Sequence, residues 1–198
     1  MWQTTDLHIV RLGMKKATGR AAVSALTLGL AAVLLLSSGD DRTMAAQRPV
    51  WTEAPWPYPI DQWGLGKAFV CKAADCGTTV TVLLRAKVGF CNCSTGVADD
   101  EELDRVSDFE LIGNQAKPQG PGRPVTVGWM KGRSRAFNVT GTLGARLSAL
   151  SIGFNDRCDA IIATAVAAPD RAATIEPAVL EFLNSRTVLG WAEVTLGL

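Results

Sequence analysis

"AFVCKAADCGTTVTVLLRAK", residues 68–87, holds two short β-rich runs separated by five residues of turn chemistry. In its second half, Val80, Val82, Leu84 and Ala86 alternate with Thr79, Thr81, Leu83 and Arg85, the period of a strand with one buried face. The stretch predicts a β-hairpin, and with it a largely antiparallel sheet. "GFCNCSTG", residues 89–96, ends the second strand and places Cys91 and Cys93 one residue apart.

Downstream, "VADDEELDRVSDFELIG" (97–113) carries a short helix candidate with Asp99 or Asp100 at its start, where a carboxylate complements the helix dipole. "NQAKPQGPGRP" (114–124) reads as loop from its proline and glycine content. "VTVGWM" and "AFNVTG" then flank "KGRSR", which predicts a second hairpin with Lys131, Arg133 and Arg135 at a cationic tip. A third pairing follows, "RLSALSIGF" with "DAIIATAV" across "NDRC", and puts Cys158 in its turn. The C-terminal stretch has helical spacing at Val179, Phe182 and Leu183, with Thr174 as candidate N-cap and Ser185 as the start of a second helix. The expected fold is therefore α+β: about six strands in a largely antiparallel sheet, with one or two C-terminal helices packed on one face and an N-terminal transmembrane or signal helix ahead of them.

That N-terminal helix rests on "MKKATGRAAVSALTLGLAAVLLLSSG", residues 14–39, in which a basic flank precedes an apolar run from Ala21 to Leu36 and small residues follow. This is the layout of an export signal. The run of 16 residues is shorter than the roughly 20 that span a bilayer. A retained anchor and a cleaved signal both fit. The charge asymmetry keeps the basic side in the cytoplasm and exports the rest, into the periplasm of a bacterial envelope. The chain thus divides into a cytoplasmic leader (1–20), a signal anchor or signal peptide (21–39), a Pro- and Trp-rich stalk (40–66) and an exported domain (67–198). Trp51, Trp56, Tyr58 and Trp63 are too many large apolar rings for a solvated linker, so the second half of the stalk is expected to lie against the domain.

Charge and histidine content exclude several classes. Of 20 basic and 19 acidic side chains, five and three fall in residues 1–46, which leaves the remainder close to neutral. A neutral body does not supply the dense cationic field that nucleic acid requires. The single histidine, His8, lies before the apolar segment. The exported part therefore has no Ser-His or Cys-His nucleophile pair and no histidine for a metal. No catalytic residue, metal site or cofactor is assigned. The acidic run Asp99, Asp100, Glu101, Glu102 and Asp104 lacks the alternating ligands and glycine of a calcium loop and reads as a solvated helix start.

All five cysteines, Cys71, Cys76, Cys91, Cys93 and Cys158, lie in the exported part, where disulfides are the default. Three readings stand. The first is a framework of two structural disulfides with one cysteine left over. The second is a thiol-disulfide pair formed by Cys91 and Cys93. The third is a soft thiolate site for Cu(I) or zinc using Cys71, Cys76, Cys91 and Cys93. The expected function is a non-catalytic binding role in the envelope, with the Lys131, Arg133 and Arg135 tip meeting another envelope protein. The alternative is a redox or thiolate-binding factor centred on Cys91 and Cys93.

Overall fold

The structure is a computed structural model and describes residues 48–141 and 143–198. The leader and the signal or transmembrane segment expected at residues 1–20 and 21–39 lie outside the described residues. Among the described residues no helix is long and apolar enough to cross a membrane.

Among the described residues eight strands form one sheet in which every pairing is antiparallel. They are β1 (Trp51–Ala54), β2 (Lys67–Cys71), β3 (Val80–Lys87), β4 (Gln115–Pro118), β5 (Arg123–Val127), β6 (Met130–Thr140), β7 (Arg146–Asp156) and β8 (Asp159–Ala167). Their order across the sheet is β1-β2-β3-β8-β7-β6-β4, with β5 also paired to β6. The helices are α1 (Ala73–Cys76), α2 (Asp100–Val106), α3 (Ala172–Leu183) and α4 (Arg186–Leu196), with a 3-10 turn at Phe109–Leu111. The class is α+β, as the hairpin pattern implies, and all three expected hairpins pair.

Two strands exceed the six expected. β1 comes from the proline-rich stretch, where Trp51 stacks on Phe182 with ring centroids 4.6 Å apart. β4 comes from the stretch read as loop, in register Gln115 to Thr140 through Pro118 to Phe137. Both lie at sheet edges, are four residues long and adjoin proline, which edge positions tolerate because their outward N–H groups need no ladder partner. Composition reads such strands as loop.

Alternation along each strand gives the sheet two buried faces. On one, Val80, Val82 and Leu84 of β3, Leu150, Ile152 and Phe154 of β7 and Ile161, Ala163 and Ala165 of β8 form an apolar core with Ile175, Val179, Phe182 and Leu183 of α3 and Val188 and Ala192 of α4. Helix α3 begins at Ala172 with Arg171 at the N-cap, three residues ahead of the expected Thr174, and the Ser148 hydroxyl on β7 accepts the Ala172 N–H at 2.9 Å. Helix α4 starts as expected, with Ser185 accepting from Val188 N–H at 3.4 Å. Segments from both ends of the chain's middle region cover the opposite face: the arm from Trp56 to Trp63, α2 and the 3-10 turn.

Candidate functional site

The second face carries the chemistry. Arg85 and Lys87 occupy alternate positions of β3 facing away from the apolar core, where sequence alternation implies a solvated side. They are buried instead, Arg85 at 1% exposure and Lys87 at 4%. Burying two cations is costly unless each is paired. Asp108, just beyond α2 and itself 2% exposed, places its carboxylate 2.7 Å from Lys87 Nζ and 3.5 Å from Arg85 Nη1. Asp61 of the arm accepts a 2.8 Å bond from Arg85 Nη1, and the Val106 carbonyl accepts one of 2.8 Å from Lys87 Nζ. Burial pushes the Asp108 carboxyl above its ordinary pKa, and the neighbouring Lys87 and Arg85 charges oppose that shift.

Aromatic rings close this cluster from outside. The Arg85 guanidinium lies 5.6 Å from the Trp56 ring centroid, and Lys87 Nζ lies 5.4 Å from Trp63 and 5.5 Å from Phe90. Gly66 makes the arm's approach feasible, since a Cβ there would stand 2.5 Å from the Trp56 ring and 2.4 Å from the Leu84 carbonyl oxygen. Beside the cluster, Pro57, Tyr58, Leu83, Leu111, Ile112 and Val166 border an apolar groove of about 380 Å³.

The cysteines divide between the two faces. Cys71 and Cys76 are bonded to each other across α1, with Cα atoms 6.0 Å apart, and adjoin the apolar core. Cys93 is bonded to Cys158 in the β7–β8 turn, with Cα atoms 4.1 Å apart. Cys91 is left as a buried thiol in the opposite core, among Val97, Leu103, Val106, Ala160 and Ile162. The framework of two disulfides with one cysteine over is what the chain adopts. A direct Cys91–Cys93 bond does not form, because the β7–β8 turn brings Cys158 to Cys93. Nor do Cys71, Cys76, Cys91 and Cys93 converge, since the sheet separates the two pairs. Among the described residues no group of three or more His, Cys, Asp or Glu is arranged to hold a metal ion.

Helix α2 joins the cysteine region to the ion cluster. Asp99 caps it by accepting Glu102 N–H at 2.8 Å. Glu102 accepts Asn92 N–H at 3.0 Å, and Arg105 donates to the Phe90 carbonyl at 2.7 Å while its guanidinium lies 4.6 Å from the Phe90 ring centroid. The segment carrying Cys91 and Cys93 is thereby clamped by one helix.

The cationic tip needs correction. The turn between β5 and β6 lies at Gly128 and Trp129, and Lys131, Arg133 and Arg135 fall inside β6 because that strand begins at Met130. Arg133 is bonded to Asp100 and donates to the Gly122 carbonyl at 3.0 Å. Arg135 reaches Asp104 at 2.8 Å and the Gly120 carbonyl at 2.8 Å. The Arg133 bond holds the Asp100 carboxyl below its ordinary pKa, helped by the Gly122 N–H. Asp100 and Asp104 of the acidic run are thus the partners of Arg133 and Arg135, and only Lys131 of the three cations is exposed. At the true tip Trp129 is 45% exposed, while the turn beneath it is pinned by a 2.8 Å bond from Gly128 N–H to Asn184 Oδ1.

Arg85, Lys87, Asp61 and Asp108 were not legible as a cluster. The one available signal was that β3 ends with two cations on the face shared with Leu83, a pattern equally consistent with a solvated side.

No family model matches the chain, and no curated protein matches it. Among solved structures, it is similar to the crystal structure of PA94 from Pseudomonas aeruginosa, a protein of unknown function described as a "Putative Regulator". The identity is 12%, over 70% of this chain and 81% of that one, with a TM-score of 0.37. That likeness is too distant to bear on fold or function.

Proposed function

We propose that this chain is an exported envelope protein whose α+β domain binds a protein partner and does not act as a catalyst. The observation that carries this reading is the pairing of four of its five cysteines in two disulfides, a state that persists in oxidising compartments. The basic and then apolar segment at residues 14–39 supports the same reading. It either tethers the domain to the inner membrane with residues 40–198 in the periplasm or is removed after export. The absence of histidine from residues 40–198 favours binding over acid-base or nucleophilic catalysis.

The partner surface moves from the arginines of β6 to the turn itself. Trp129 is a large ring held on a pinned turn, with exposed Lys131 close by in sequence. Tryptophan on a rigid support is the residue type that most often anchors protein interfaces.

The test begins with intact cells treated with an alkylating reagent before lysis and then fractionated. Both disulfides are expected intact in the envelope fraction; a soluble cytoplasmic pool with five reduced thiols overturns export. Sequencing the mature N-terminus then decides the tether, because a start near Asp40 or Ala46 rules out the anchor. A photo-crosslinking residue at position 129 is expected to give a discrete adduct that the same residue at exposed position 194 does not. Equal labelling at both positions overturns the assigned surface.

A further inference from the structure

We propose that Cys91, Cys93 and Cys158 form an intramolecular thiol-disulfide exchange centre in which Cys158 is shared by two partners and Cys93 is the thiol released to solvent. The inference goes beyond the binding role and is independent of it, since it stands or fails on purified oxidised protein whatever the compartment.

Cys158 is bracketed by the two other cysteines. Cys93 holds its sulfur, while Cys91 donates its backbone N–H to the Cys158 carbonyl at 3.2 Å. The Cys91 thiol lies 3.3 Å from the carbonyl of Arg157, the residue before Cys158. That backbone bond and thiol contact set Cys91 directly beside the turn that carries Cys158, and closeness of the two backbones is the first requirement for a disulfide. Cys91 is thus the free thiol positioned beside the turn that carries Cys158.

The exchange balances without an external oxidant. The Cys91 thiolate attacks the Cys158 sulfur, the Cys91–Cys158 bond forms, the Cys93–Cys158 bond breaks, and Cys93 leaves as a thiolate that takes up a proton. Two sulfurs remain oxidised and one remains a thiol throughout. What changes is access: Cys91 is 5% exposed, whereas Cys93 lies on the surface.

The loop bearing Cys93 is also held by hydrogen bonds that do not involve its sulfur. Asn92 accepts Ser94 N–H at 2.9 Å and Thr95 N–H at 3.3 Å through its side chain, and its carbonyl accepts Gly96 N–H at 2.7 Å. Glu102 anchors Asn92 from α2. Releasing Cys93 leaves those hydrogen bonds available to its turn and exchanges a buried thiol for a surface one open to a small or protein disulfide.

Burial, with the Glu102 and Asp159 charges, pushes the Cys91 thiol above its ordinary pKa, and Arg105 opposes this. Exchange requires the thiolate, so its rate rises with pH.

The experiment alkylates the native oxidised chain with iodoacetamide, digests it without reduction and maps label and crosslinks by mass spectrometry. Label on Cys93 together with a Cys91–Cys158 crosslinked peptide is expected, forming faster at about pH 9 than at about pH 7. Label on Cys91 alone with Cys93–Cys158 intact overturns the proposal, as does native protein that stays unlabelled and shows label only on Cys91 once unfolded. The Cys93→Ser variant supplies a second reading. A Cys91–Cys158 bond with no free thiol among the three positions supports the shared sulfur, and two free thiols at Cys91 and Cys158 overturn it. Cys71 and Cys76, on the other face, are the internal control and stay unlabelled.

Discussion

The two faces of the sheet are buried by different means. Under α3 and α4 the core is apolar, with Leu84, Ile152, Phe154 and Ile161 meeting Val179, Phe182 and Leu183, and polar contacts stay at its margin, where Ser148 meets the start of α3 and Ser134 meets Glu176. Under the arm and α2 the face mixes apolar residues with an ion cluster, a hydroxyl pair between Ser107 and Ser151 at 2.6 Å, and the free Cys91. The first face gains stability from area removed from water, and its residues are interchangeable in kind. The second is held by compensation, each buried charge being tolerable only while its partner is present. The difference separates a face that builds the domain from one that carries its polar chemistry.

The sharpest way to break this comparison is to remove one residue from each face. Phe154→Ala is expected to cost about 3–5 kcal/mol as a core truncation. Asp108→Ala is expected to cost a similar amount, about 3–5 kcal/mol, because it leaves buried Lys87 without a carboxylate and Arg85 with Asp61 alone. The faces separate in a double replacement. Lys87→Met with Asp108→Leu should fall within about 1–2 kcal/mol of the parent, whereas no charged pair rescues the Phe154 position. Denaturant unfolding measures all three, and a double variant as unstable as Asp108→Ala would show net attraction, not compensation, at the cluster.

The disulfides extend the contrast. Closing a loop of sequence separation 65, Cys93–Cys158 is worth about 4 kcal/mol by loop entropy, against about 2 kcal/mol for Cys71–Cys76 with separation 5. Cys158→Ser should therefore destabilise more than Cys76→Ser, and Cys93→Ser less than Cys158→Ser because Cys91 can replace it. Thermal melts of the oxidised proteins rank them.

Acid titration separates two carboxylates on the same face. Asp100 has its pKa lowered by Arg133, so its contribution is complete above the ordinary carboxylate value of about 4 and is lost as pH falls through the lower folded value. Asp100→Asn should cost about 1–2 kcal/mol at neutral pH, a deficit that shrinks in acid. Asp108 has the opposite sign: its raised folded pKa makes protonation more favourable in the folded state, so acidification first relieves that site. Parallel unfolding curves for parent and variant across that range measure the difference. The smallest effect belongs to Ser148→Ala, about 1 kcal/mol for the lost cap on α3, seen as faster amide exchange at Ala172.

The hairpins were legible because strand alternation and turn residues act locally, and the pairs β2–β3, β5–β6 and β7–β8 are consecutive in the chain. The edge strands β1 and β4 were not, because proline-rich composition masks a strand that only needs one neighbour. The start of α3 was misplaced by three residues because the group that meets it, Ser148, comes from a different element. For the site, the sequence supplied the five cysteines and the count of pairs. It left the partner of each open, since connectivity depends on which turn folds beside which strand.

"AFVCKAADCGTTVTVLLRAK" by itself determined an antiparallel hairpin and thereby the class of the domain, because backbone geometry and side-chain alternation are properties of neighbouring residues. It also held Arg85 and Lys87, whose fate it did not determine. Only the tertiary structure decided that these cations are buried, that the acidic run neutralises the arginines of β6, and that Cys93 meets Cys158 while Cys91 stays free. Charge pairing and sulfur pairing act between segments that the fold alone brings together. A cation at a strand's outer position has the same local pattern whether water or a carboxylate lies above it.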